Sequence, residues 1–148
     1  MEINGLPLHP LVVHAAVIFG PLAALAALVY VLVPRWRDRL RWPMLVLVLV
    51  ATASIWAAYL TGENFCDSES FFTEGALGEK VEKHEELADK LRFMTSGFAI
   101  VAVLAAWLHT RTGATRVLLG ALLALAAVGT LVLTVLTGDA GAQAVWGK

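Results

Sequence analysis

The chain has 148 residues, is 59% hydrophobic and 16% charged, and carries a formal net charge of −1, with a mean hydropathy of +0.74. That apolar share lies well above a soluble domain's, and no nucleic-acid partner is expected. The only cysteine, Cys66, excludes an intrachain disulfide, thioredoxin motifs, zinc fingers and cysteine-ligated iron–sulfur clusters.

Residues 1–8 hold no Lys or Arg, and the apolar stretch after them is longer than a signal peptide's core. The leader is therefore expected to stay in the protein. The first span, 10–33, opens with "LHPLVVHAAVIFGPL". It carries His9 and His14, and an ionisable group inside a span reads as functional by default. Pro10 suits a first helical turn and biases His9 toward an extended conformation. His9 is thus expected at the cap, with His14 about a turn inside. Ala16, Gly20 and Ala24 form a small-residue packing face. His14 lies roughly 200° around the helix from Ala16 and so faces away from that seam.

"PRWRDRLRWP" then places Arg35, Arg37, Arg39 and Arg41 in a short loop before the second span, 43–61, where Pro43 suits a first turn. Gly62 reads as a helix C-cap. Residues 62–78 are expected to form a loop, with Phe65, Phe71 and Phe72 as an interfacial lid or as anchors of a plain connector. The third helix is expected from about 79 to 109, its span covering 87–109. Val81, His84, Leu87, Leu91, Thr95 and Phe98 recur on one face, with charges on the others, so His84 points into the bundle. His109 reads as a structural polar group at the opposite end. "HTRTGATR" turns the chain into the fourth span, 114–137, which has small residues at Gly120 and Ala124 and an apparent C-cap at Gly138.

Each span is long enough to cross a ~30 Å hydrocarbon core as a helix. The expected fold is an all-α integral membrane protein: a four-transmembrane-helix bundle of two antiparallel hairpins in a single domain, 1–148. The two short loops hold six of the eleven Lys and Arg, and the opposite side holds eleven of the twelve acids. The positive-inside rule then puts both termini outside. Trp36, Trp42, Trp107 and Trp146 fall near the expected interfaces, where indoles prefer to lie. A weak repeat suggests a pseudo-two-fold arrangement. Span two ends "LTGE" and span four "LTGD", with His9 lying 52 residues before the first Thr-Gly and His84 lying 53 before the second.

Three histidines thus gather on one side, with Glu2, Glu63, Glu85 and Asp139 nearby. Two chemistries use such a set. A b-type haem takes two imidazoles from facing helices, whereas Zn or Cu takes three or four ligands. The expected haem pair is His14 and His84, with His9 as a hydrogen-bond donor or replacement ligand; the metal alternative uses His14 and His84. There is no HExxH, CxxCH or phosphate loop, and Ser68, Ser70 and Ser96 sit in no nucleophile context.

"LHPLVVHAAVIFGPLAAL", "LTGE", "HEELADKLR" and "TGDAGAQAVWG" together resemble the prokaryotic membrane-protein family called domain of unknown function 2231, over almost the whole chain. Where that family often has "HFP" this chain has "HAA", and where a terminal "GHxGG" segment is common it has "GDAGAQ", with no histidine. Some members are fused to Rieske or cytochrome modules, so the resemblance implies electron transfer at the outer face. The expected function is a b-type haem electron carrier, rather than a stand-alone enzyme, in a bacterial inner membrane. It would work with respiratory partners or as a homo-oligomer. The alternative is a non-redox subunit or assembly factor, or a Zn- or Cu-binding protein.

Overall fold

The computed structural model describes residues 2–3, 6–68 and 75–147. A two-residue antiparallel pair, Glu2–Ile3 with Leu6–Pro7, precedes the first helix. Four long helices follow: α1 (Leu8–Leu32), α2 (Arg37–Ser68), α3 (Gly75–Trp107) and α4 (Ala114–Trp146), with a 3₁₀ turn at Pro34–Trp36. All four are long and apolar enough to cross a membrane. The protein is an all-α, four-helix membrane bundle.

The chain's hairpins are its packing units. α1 packs mainly on α2 and α3 on α4, and α1–α4 and α2–α3 contacts close the ring. The centre is built from small side chains. Ala23, Ala24, Ala27, Ala51, Ala102, Ala105 and Ala127 are buried with Tyr30, Met44, Val48, Phe98 and Leu123. Large residues such as Leu25, Ile100, Val117 and Leu125 are instead exposed on the outside. Lipid is as apolar as leucine, so packing here is driven by close approach rather than by exclusion of water. The α1–α4 seam shows this at Gly20, where an added Cβ would lie 3.0 Å from the Thr134 hydroxyl oxygen.

Several expected boundaries move. α2 starts at Arg37, so Pro43 lies inside it rather than in its first turn. α2 also continues through Gly62 to Ser68, and α3 begins at Gly75, so much of the expected 62–78 loop is helix. Phe71 and Phe72 lie outside the described residues, and the Phe65 side chain and that of Glu2 are likewise not described. Gly138 is not a cap either, because α4 runs on to Trp146. A helix tolerates an interior glycine at a cost of about 1 kcal/mol, and at Gly62 the missing Cβ makes room for the His9 ring.

Helix lengths set where the ends fall. α1 has 25 residues, against 32 in α2 and 33 in each of α3 and α4. At the arginine end the helices are tied level. The Arg41 Nε donates to the Ala106 carbonyl at 2.9 Å, and the Tyr30 hydroxyl donates to the Ala105 carbonyl at 3.2 Å. The surplus length therefore emerges at the opposite, histidine end, where α2, α3 and α4 overreach α1 by on the order of 10 Å.

Candidate ligand pocket at the histidine end

His9 sits in the first turn of α1, and its ring lies against α2. Its Nδ1–H donates to the Ala58 carbonyl at 2.9 Å, with the Thr61 hydroxyl 3.3 Å from the same nitrogen. A carbonyl only accepts, so Nδ1 carries the proton and Nε2 is the basic nitrogen of the neutral ring. An added Cβ at Gly62 would fall 3.0 Å from the His9 Cε1. Glycine is what lets the ring reach the helix backbone.

The second hairpin repeats this construction. On α3, the Nδ1–H of His84 donates to the Thr137 carbonyl of α4 at 2.9 Å. An added Cβ at Gly141 would lie 3.0 Å from its Cε1. Each imidazole therefore rests on a carbonyl and on a glycine one helical turn further along: Ala58 with Gly62, and Thr137 with Gly141. The expected Thr-Gly correspondence holds in a shifted form. Thr61-Gly62 belongs beside His9, whereas the glycine beside His84 is Gly141 and not Gly138.

Both rings line one pocket, to which all four helices contribute. α1 gives His9, Val13, Ala16 and Val17. α2 gives Ile55, Ala58, Tyr59, Gly62 and Glu63. α3 gives His84, Glu85, Ala88 and Leu91, and α4 gives Thr134, Thr137 and Gly138. Its floor is a small buried cluster of Ala16, Ile55 and Leu91. The open space is about 110 Å³, comparable with the ~150 Å³ apolar cavities that admit benzene. Glu63 and Glu85 are the acidic residues of its wall, and no Lys or Arg lines it. Glu63 accepts a 2.7 Å hydrogen bond from the Tyr59 hydroxyl. Beside it, Arg92 stacks over Tyr59 at 4.0 Å and pairs with Asp89 at 2.6 Å.

His14 is placed elsewhere. It is exposed, its Nδ1–H donates 2.6 Å to the Pro10 carbonyl of its own helix, and it does not line the pocket. The structure thus brings His9 and His84 together and leaves the expected partner, His14, outside. The physical reason is where the helix begins. With Leu8 already helical, His9 is on the helix rather than off it, and a five-residue step turns His14 ~140° away. Asp139 is exposed and is held by Gln143 Nε2 at 2.6 Å. Among the described residues, no group of three or more His, Cys, Asp and Glu converges to hold a metal ion.

The sequence reading passed over Thr137 as a side chain. It is buried, lines the pocket, and its hydroxyl has no hydrogen-bond partner. The repeated Thr-Gly pair was its only signal.

Four apolar helices around a small-residue core, with a pocket at one end, define an integral membrane bundle of paired hairpins. The chain belongs to the family described as a predicted membrane protein, DUF2231, which matches residues 5–148. No curated protein and no solved structure matches it.

Proposed function

We propose that the protein transfers electrons near the outer face of a bacterial inner membrane, through a redox group held in the pocket between His9 and His84. One observation carries this reading: two imidazoles, one from each hairpin, share an apolar pocket, and each has its Nδ1–H fixed on a main-chain carbonyl. That is the orientation of ligating histidines, whose second nitrogen is typically held by a carbonyl or carboxylate. A b-type haem would be held by the imidazoles of His84 and His9, rather than those of His84 and His14, and would need the pocket to open beyond its space of about 110 Å³. When bound it supplies reversible one-electron chemistry. Respiratory membrane proteins are the natural partners, and the excess of arginine in the two short loops supports an orientation with both termini outside.

Visible spectroscopy of the purified protein tests the haem. A low-spin spectrum lost in His84→Ala and His9→Ala but kept in His14→Ala and His109→Ala supports it. A colourless protein ends the haem assignment. For the topology, a cysteine introduced at Arg37 should be shielded from an impermeant thiol reagent in intact cells; labelling there inverts the orientation.

A second reading is favoured by the same hydrogen bonds. Each histidine ties its own hairpin together, as the histidines of a non-redox subunit or assembly factor would. Zn or Cu binding has less support, since tetrahedral zinc needs three or four ligands and no three such groups converge among the described residues.

A further inference from the structure

The pocket combines four properties that together define a class of guest. Its open space is about 110 Å³ and its floor is apolar, a size that takes one six-membered ring. Glu63 and Glu85 lie in its wall without a Lys or Arg among the lining, so a guest bearing carboxylates or phosphates meets like charge. The tautomer of His84 leaves Nε2 as a hydrogen-bond acceptor. The buried Thr137 hydroxyl, in the same wall, lacks a partner, and such a group is costly until it finds one. The wall also reaches the outside of the bundle: Val17 of α1 lines the pocket and is 45% exposed. Below this level α1 and α4 close tightly at Gly20 and Thr134.

We propose that the pocket binds the ring of an uncharged, lipid-dissolved hydroquinone, admitted from the leaflet at the histidine end. A ring hydroxyl donates to Nε2 of His84, and the Thr137 hydroxyl bonds to a ring oxygen. The apolar tail leaves past Val17. The reduced form is preferred, because a quinone carbonyl has no proton to give to the imidazole. This inference deepens the electron-transfer reading by naming its redox group, and it excludes a haem in the same space.

The experiment is a titration of the full chain, in lipid nanodiscs, with a decyl-substituted hydroquinone and with its oxidised quinone. Binding is followed by the ¹⁵N shifts of the histidine rings. The expected result is saturable binding of the hydroquinone with a shift at His84 Nε2, and weaker binding of the quinone. His84→Phe should lower affinity by about tenfold or more, the value of one lost hydrogen bond to a buried partner. Thr137→Val, which keeps the side chain's shape, should lower it by a smaller factor, and His14→Ala should leave it unchanged. If His84→Phe does not fold, Thr137→Val and the His84 shift still decide. No saturable binding, equal binding of both oxidation states, or a stoichiometric haem spectrum overturns the proposal. Hydroquinone binding without any electron passed to an added acceptor sinks the electron-transfer reading and leaves the site standing.

Discussion

The two ends of the bundle use histidine in opposite ways. At the arginine end, His109 joins elements from both hairpins. Its Nδ1 meets the Tyr30 hydroxyl of α1 at 2.9 Å, and its Nε2 meets the Asp38 carboxylate of α2 at 2.7 Å. Arg37 stacks over the Tyr30 ring at 5.0 Å. At the other end, His9 and His84 each bond within their own hairpin, to Ala58 and Thr137. The polar contact that crosses between the hairpins beside them is made by other residues, Arg92 of α3 stacking over Tyr59 of α2 at 4.0 Å, and a pocket lies between the two imidazoles. A histidine that bonds across the hairpins closes its end, whereas histidines that bond within them leave room between them.

The sharpest way to break this contrast is to crowd the glycine under a histidine. In Gly141→Leu the new side chain starts 3.0 Å from the His84 Cε1. It should push the ring off the Thr137 carbonyl and cost about 3 kcal/mol, near the top of the overpacking range. Gly62→Leu should do the same to His9. Unfolding in detergent and the histidine ¹⁵N shifts together report both effects; a ring shift unaltered by either substitution would show that the glycines do not hold the rings.

A smaller effect is expected from His109→Ala. It removes the bonds to Tyr30 and Asp38 and should destabilise the protein by about 1–2 kcal/mol. Hydroquinone affinity should stay within about twofold, since distant sites act independently. A large loss of affinity would mean that the two ends are coupled. Smaller still is Asp38→Asn. The Asp38 side chain is 94% exposed, and exposed pairs contribute about 0–1 kcal/mol. Its effect should fade in high salt, which a denaturation series at two ionic strengths would reveal. Opposite in sign, Gly97→Ala should stabilise the protein by about 0.5–1 kcal/mol in the same assay, because an added Cβ there meets no atom within 4 Å.

The bundle was legible because four long apolar runs leave a chain few alternatives, and the small-residue face of α1 did predict its tight seam, at Gly20 against Thr134. Helix ends were read less well. Gly62 and Gly138 look like caps when only local preference is considered. Gly62 is in fact a contact surface for His9, a ring 53 residues away in the chain, and no local pattern encodes that. The inward aim of His84 followed from the amphipathic stripe of α3. Choosing between His9 and His14 required the first residue of α1, and Pro10 argued for a later start than the one found. Tyr30, the buried partner of His109, sits in an apolar run with nothing nearby to mark it as half of a polar pair.

The matched carbonyl-and-glycine supports bear on how such a protein could arise. Each hairpin crosses the membrane twice, so a hairpin copied in tandem enters with the same orientation as its parent and needs no reversal of its loop charges. An axis relating two such copies would run along the membrane normal, as in parallel transporter repeats, and the pocket lined by all four helices lies between the two hairpins. A single ancestral hairpin, associating with a second copy of itself, would already have enclosed that space with one imidazole from each side. Gene fusion would have freed the two halves to diverge, leaving a threonine over one glycine and an alanine over the other.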